Sequence, residues 1–296
     1  MAENRASKTG GDPEQDVGVR PTSRLGSFIG KFTVLRGAQR ELWLTFLLKF
    51  LIYVAYSITN KTMILWLSKD LGFSDQAAGA IVGWGWAPAM TVFTLLAGSL
   101  TDAIGLRRTF FIGVGICTIA RTVMVTTTIP ALALSCGVLP LAIGEALGTP
   151  VLLAATRRYS TTAQRSMAFS LIYMVMNIGY LVAGYVFDFI RRSGFHFDFF
   201  GFAPTTHQQL FMVSLGIEII IFPAIYLLRR DDALENARAA SASMLQGIWG
   251  TVRQSARETI ALFRRLVGQS AFARILVFFL FIGFLKAIFL QMDYVF

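Results

Sequence analysis

The chain has 296 residues and a net charge of +10, with 55% hydrophobic and only 15% charged residues. Soluble domains carry about a quarter charged residues, so this composition excludes an ordinary soluble fold. The basic charge does not indicate nucleic-acid binding, because no basic run alternates with aromatic residues as on DNA- or RNA-binding faces. We therefore expect an all-α protein that crosses the membrane several times.

The first segment, residues 1–40, is polar and basic and lacks the apolar core of a cleaved signal peptide. It predicts a disordered cytoplasmic tail. Apolar stretches long enough to cross a bilayer follow from residue 41. They predict a six-helix N-terminal bundle over 41–230, with spans at 42–67, 77–99, 109–129, 131–155, 167–190 and 209–228.

A polar segment, 231–273, follows the sixth span, and its apolar residues recur at helical spacing with arginines between them. The pattern predicts an amphipathic connector helix on the cytoplasmic membrane surface. A helix that binds a calmodulin-type partner is the alternative. A seventh span begins at 274 and runs towards residue 296. We therefore expect the chain to be truncated, with a missing C-terminal half that completes the same protein.

The Lys and Arg residues predict the orientation of the spans, because cytoplasmic loops are enriched in both. With a cytoplasmic N-terminus, only Lys69, Arg191 and Arg192 fall in outer loops, and four more cations lie within spans. All other Lys and Arg residues fall on the cytoplasmic side. The sequence thus predicts a multi-pass protein of the lipid bilayer with its N-terminus inside.

The loop after the second span, "AGSLTDAIGLRRTFF", places an acid and two arginines between apolar stretches. Glycines allow helices to approach closely and turn tightly. An acid here can accept backbone N–H groups at a helix N-terminus, and arginines bind the anionic inner leaflet. An ordinary basic inner loop is the alternative. The residues of the motif are Gly98, Asp102, Gly105, Arg107 and Arg108.

This loop resembles the signature loop of the major facilitator superfamily, approximately Gly-x-Leu-x-Asp-Arg-x-Gly-Arg-Arg, although Ala103 and Leu106 depart from its usual basic residues. The resemblance implies a transporter in which the loop is a gating latch on the cytoplasmic side. It also implies an inverted three-plus-three repeat. Ala-Gly-x-x-x-Asp-x-Ile occurs at 97–104 and again at 183–190, where the second and fifth spans end, as such a repeat predicts. A chance match is the alternative.

Short segments also resemble the proton-dependent oligopeptide transporters, a branch of the superfamily. "SLIYMVMNIGYLVAG" is similar to their Phe-Tyr-x-x-Ile-Asn-x-Gly signature, and "GEALGTPV" to their Gly-Asn-Gly-x-x-Lys-Pro. However, Thr149 stands where these transporters carry a substrate-binding lysine. The first span, "LLKFLIYVAYS", also lacks their Glu-x-x-Glu-Arg motif. The resemblance therefore does not extend to a peptide substrate.

Ionisable side chains within spans are costly and usually line a cavity or pair with one another. At about 1.5 Å per helical residue, five of them fall in one central layer of the membrane. We hypothesise that Glu145 carries the transported proton and that Arg121 neutralises it when ionised. A solute that attracts Arg121 would then favour protonation of Glu145. A static ion pair is the alternative. The five residues are Lys49, Arg121, Glu145, Glu218 and Lys286.

Polar and aromatic side chains at similar depth complete the predicted substrate and proton pathway, although each could instead serve helix packing. The polar residues Tyr53, Asn60 and Asn177 belong to this set, together with Tyr56 and Tyr173.

No Ser/His/Asp or Cys/His arrangement supports hydrolysis, so we expect no enzyme. We expect no metal or cofactor, and we interpret His196 and His207 as solvated and Cys117 and Cys136 as buried, unpaired thiols. The sequence predicts a secondary active transporter that moves a small polar or zwitterionic solute by alternating access, as a proton-coupled symporter. A non-transporting membrane scaffold or receptor on the same fold is the alternative, and an intramembrane enzyme is a third.

Overall fold

The computed structural model describes residues 33–193 and 203–228, together with isolated positions between 253 and 281. Within these ranges all regular structure is helical. Most of the predicted tail (1–40), connector (231–273) and seventh span (274–296) lies outside the described residues, as do Lys286 and His196.

Six long helices coincide with the six predicted spans. Helix α1 covers Arg40–Lys69, α3 Leu106–Thr126, α5 Thr162–Ser193 and α6 Thr206–Tyr226. Helix α4 covers Pro130–Tyr159, and α2 covers residues 75–104. Five of the described helices, all except α2, are long and apolar enough to cross a membrane.

Helices α2 and α4 each contain one wider, π-helical turn, at Ile81–Trp86 and Ala133–Val138. Such turns shift the register of the side chains that follow, and they are found mostly as single turns within α-helices. In α2 the turn ends at Trp86, whose buried ring lies 6.3 Å from the ring of Tyr56 on α1. The turn therefore leads directly into the contact between these two helices.

The connections at one end of the bundle are short, which makes neighbouring helices antiparallel. Gly105 alone separates α2 from α3, and it has φ +82°, in the left-handed region that a side chain disfavours. Its carbonyl oxygen accepts hydrogen bonds from both the backbone N–H and the hydroxyl of Thr109. Gly105 thus forms the turn that the sequence motif predicted.

The contacts of the first three helices match those of the last three. Helix α3 packs against α4 and α6, α1 packs against α5 and α6, and α2 packs against α4. This set of contacts is unchanged when α1, α2 and α3 are exchanged with α4, α5 and α6, respectively. A three-helix repeat produces such a pattern.

Close packing of α3 against α4 depends on glycine. A Cβ atom on Gly144 would lie 2.6 Å from Cys117 Sγ and 2.8 Å from the carbonyl oxygen of Gly113. Gly98, which we expected to allow a close helix approach, has no described neighbour within 4 Å of a Cβ position. The described residues place a close helix approach at α3–α4, and the role of Gly98 stays a prediction.

Replacing Gly144 with alanine is expected to lower the free energy of unfolding by about 1–3 kcal/mol, because the new methyl group overpacks this contact. Gly148, one turn further along α4, has open space at its Cβ position. The matched variant Gly148→Ala should be neutral or raise stability by up to about 1 kcal/mol through helix propensity. Thermal unfolding in detergent compares the two, and equal stabilities would contradict the proposed contact.

The two thiols differ in burial: Cys117 is buried, whereas Cys136 is exposed. The expectation of two buried thiols is therefore wrong for Cys136. Its neighbour Gly137 faces Met124 of α3, with a Cβ position 2.8 Å from Met124 Cγ. Because neighbouring residues on a helix point in different directions, Cys136 is turned away from α3.

Candidate functional site

A buried arginine joins four helices in the middle of the bundle. Arg121 lies on α3 with 1% of its side chain exposed. Its Nη2 donates to Oε1 of Glu145 on α4 at 2.7 Å, and its Nη1 donates to Oε1 of Glu218 on α6. Its Nε donates to the hydroxyl of Thr59 on α1 at 2.9 Å. We call Arg121, Glu145, Glu218 and Thr59 the charge cluster.

The charge cluster contains two acids and one base. The side chains of Glu145 and Glu218 are each 6% exposed. Each has a buried Oε2 atom without a hydrogen-bond partner in the described part of the chain. If both acids are ionised, the cluster has a net charge of −1, and a buried, uncompensated charge is costly. The cluster can therefore accept one further positive charge, either a proton or a cationic group.

A cavity of about 80 Å³ adjoins the charge cluster and has room for several water molecules. Arg121, Glu145 and Glu218 are among the residues that line it. The rest of the lining is mainly apolar and aromatic. It includes Ile52, Tyr53, Tyr56, Met90, Phe110, Val114, Cys117, Gly144, Gly148, Thr149, Tyr180 and Ile221.

Three tyrosines form an aromatic cluster at this cavity. The ring centroid of Tyr53 lies 5.7 Å from that of Tyr56 and 5.4 Å from that of Tyr180, the latter at an interplanar angle of 89°. The Tyr53 hydroxyl lies 3.1 Å from Thr149 Oγ1, so this hydrogen bond joins α1 to α4. Edge-to-face contacts of this kind hold aromatic rings in defined orientations.

Lys49 contacts the same tyrosine cluster. It is buried in α1, and its Nζ lies 4.1 Å from the ring centroid of Tyr53. A cation over an aromatic ring is attracted by the negative face of the ring. The described residues pair Lys49 with no carboxylate, so it is not a member of the charge cluster. Lys49 does not line the cavity, but it contacts Tyr53, which does.

The structure brings five of the predicted pathway residues to the cavity: Tyr53, Tyr56, Arg121, Glu145 and Glu218. Asn60 and Asn177 do not line it, and Asn177 is exposed and donates to the backbone oxygen of Tyr173 within α5. The pairing of Glu218 with Arg121, and the roles of Thr59, Thr149 and Tyr180, were not predicted from the sequence. A single tyrosine or threonine within an apolar span gave no signal for these roles.

The predicted latch loop lies at the end of the bundle where α2 joins α3. Arg107 stacks on the ring of Tyr226 at the end of α6, with 4.5 Å from its guanidinium carbon to the ring centroid. Arg108 is half-buried. The side chain of Asp102 lies outside the described part of the chain. The loop is therefore joined to α6 by a cation–π contact that the sequence motif did not predict.

At the opposite end, a second polar contact links α1 to α6. Asp70 is the C-cap of α1; its Oδ2 accepts from the hydroxyl of Thr205, and its Oδ1 lies 2.9 Å from Nδ1 of His207. Thr205 also forms a capping box with Gln208 at the start of α6. The interpretation of His207 as solvated is wrong, because its side chain is only 17% exposed and pairs with Asp70.

Replacing Asp70 with alanine is expected to lower the free energy of unfolding by about 1–2 kcal/mol, because two hydrogen bonds to a charged group are lost. Asp188, an exposed carboxylate on α5, provides the control: Asp188→Ala should stay within about 0.5 kcal/mol of the parent. Chemical unfolding in detergent measures both. Equal stability of Asp70→Ala and Asp188→Ala would mean that the Asp70 contact contributes nothing.

The apolar helices, the internal charge cluster and the central cavity together define an integral multi-pass membrane protein. A family model of the Major Facilitator Superfamily matches residues 45–295, and the chain belongs to this superfamily. This finding confirms the resemblance on which the latch loop was interpreted.

Solved structures of peptide transporters share the fold. A crystal structure of tetrameric PepTSo2 superposes with a TM-score of 0.55 at 16% sequence identity and covers 84% of this chain and 53% of that one. A structure of a bacterial homologue of the human drug peptide transporters gives 0.52 at 18% identity, with 84% and 54% covered. The chain thus spans about half the length of these structures. No curated protein matches it in sequence.

Proposed function

We propose that the chain acts in a secondary active transporter that moves a small polar or zwitterionic solute across the membrane by alternating access. The observation that carries this proposal is the charge cluster at the central cavity, where Arg121 meets both Glu145 and Glu218. A protein without a solute pathway gains nothing from the cost of burying three charges in its core.

We propose that transport is coupled to protons through Glu145. Its Oε1 accepts from Arg121, whereas its Oε2 has no partner among the described residues. The ionised acid is held by the arginine, and the free oxygen can take up a proton when that pairing weakens. Because Glu145 lines the cavity, the proton and the solute would share one compartment.

Alternating access requires a second wall for the cavity, and we propose that a second bundle provides it. The peptide-transporter structures support this proposal, since this chain covers 53–54% of their length. The latch loop would then close one end of the cavity. We place that end, together with the N-terminus, in the cytoplasm, because Lys and Arg concentrate on this side of the helices.

Solute-driven proton flux tests the proposal. The complete protein is reconstituted into liposomes that contain a pH-sensitive dye, and small amines, amino acids and sugars are added in turn. At least one solute is expected to change the internal pH, and an imposed pH gradient should drive its accumulation. A membrane scaffold or receptor on the same fold would produce neither signal with any solute.

A further inference from the structure

We infer that the cavity binds its solute through a positively charged amine, which donates a hydrogen bond to the free carboxylate oxygen of Glu145. The consequence for transport rests on the proposed function. The binding claim itself rests only on the contacts of the described residues.

The charges at the cavity favour a cationic solute over an anionic one. Arg121 is the only cation among the described residues that line the cavity, and all three of its side-chain nitrogens already have acceptors. The Oε2 atoms of Glu145 and Glu218 are buried and lack partners within the described chain. A solute carboxylate would therefore meet two like charges, whereas a solute ammonium would satisfy an unpaired acceptor and bring the cluster to neutrality.

The aromatic lining of the cavity favours an organic cation. Glu145 lines the same cavity as Tyr53, Tyr56 and Tyr180, so the carboxylate and the aromatic rings form one site. Aromatic faces attract organic ammonium groups, and the chain's own Lys49 already lies 4.1 Å from the Tyr53 ring centroid. A mainly apolar cavity of about 80 Å³ suits an organic amine better than a bare metal ion, which requires several oxygen ligands.

The amine and the coupling proton would use the same oxygen atom of Glu145. A protonated Oε2 of Glu145 cannot also accept a hydrogen bond from an ammonium group in the same direction. When the charged amine binds, the proton on this oxygen must leave to water, and when the amine leaves, a proton can return. Amine and proton would therefore compete at Glu145, and this competition converts proton coupling into an exchange of one cation for another.

Binding of benzylammonium to the detergent-solubilised chain tests the inference, with calorimetric titration as the readout. Benzylammonium should bind at least about tenfold more tightly than benzyl alcohol, which has the same ring without the charge. Its affinity should fall as the buffer changes from mildly alkaline to mildly acidic. Equal affinity for the alcohol, no pH dependence, or full displacement of benzylammonium by sodium would each overturn the inference.

Variants locate the binding site. Glu145→Gln should abolish benzylammonium binding, whereas Asp188→Asn, which neutralises an exposed carboxylate on α5, should leave it unchanged. Tyr180→Leu should weaken binding by about threefold to tenfold, and it gives a second result should Glu145→Gln fail to fold. Full binding by either Glu145→Gln or Tyr180→Leu would exclude this site.

The binding assay also separates this inference from the proposed function. If benzylammonium binds as described but the complete protein moves no solute, the transport proposal fails and the amine site stands. If the complete protein moves a neutral or acidic solute with protons and benzylammonium does not bind, transport stands and the amine site fails.

Discussion

Replacing Arg121 with leucine is expected to lower the free energy of unfolding by about 3–5 kcal/mol. The substitution leaves Glu145 and Glu218 buried, close together and without their shared cation. It also removes the hydrogen bond to Thr59, and with it the polar link between α1 and α3. Unfolding in detergent by heat or denaturant measures the loss.

Two further variants make this prediction specific to charge. Replacing Glu145 and Glu218 with leucine in the Arg121→Leu background should restore most of the stability, because an apolar core needs no counter-ion. Arg192→Leu, at an exposed position near the end of α5, should stay within about 0.5 kcal/mol of the parent. If Arg121→Leu were as stable as Arg192→Leu, the two acids would be neutral in the folded protein, and the cluster would not be an ion-pair network.

Length and hydropathy were sufficient to locate the helices, because a membrane-spanning helix must be long, apolar and internally hydrogen-bonded. Each predicted span falls on one observed helix. The ends were less accurate: α5 begins at Thr162, five residues before the predicted span at 167–190. Such ends contain polar residues such as Gln164 and Arg165, which a search for apolar stretches excludes although they continue the helix.

The charge cluster could be predicted only in part. Depth along each helix placed Arg121, Glu145 and Glu218 in one layer, because helical rise converts sequence distance into height. Height does not determine which way a side chain points around the helix axis. Lys49 lies in the same predicted layer, yet it contacts the Tyr53 ring and no member of the cluster.

Two contacts between helices had no sequence signal. Thr59 accepts from Arg121, which is 62 positions away, and His207 pairs with Asp70 across 137 positions. A lone Thr in a span and a lone His in a loop are each compatible with many environments. His207 meets Asp70 only because α1 packs against α6. The local periodicity of a sequence does not indicate which helices pack against each other.

Replacing Glu145 with glutamine in the complete protein is expected to reduce the accumulation driven by a pH gradient of about one unit by about tenfold. An amide cannot carry the coupling proton, and such a gradient can drive a concentration ratio of about tenfold. The amide oxygen of glutamine can still accept from Arg121, which keeps Glu218 as its counter-ion. The fold should therefore persist while the titratable group is lost. Uptake into liposomes with and without a pH gradient measures the effect.

The pH dependence of the remaining uptake decides the role of Glu145. In Glu145→Gln any residual uptake should be the same with and without the gradient, whereas Asp188→Asn should keep the full response of the parent. Glu145→Asp retains a carboxylate but shortens its reach to Arg121, so it should transport slowly and remain sensitive to pH. If Glu145→Gln accumulates solute as well as the parent does, Glu145 is a static member of the charge cluster, and the coupling proton must be carried by another group.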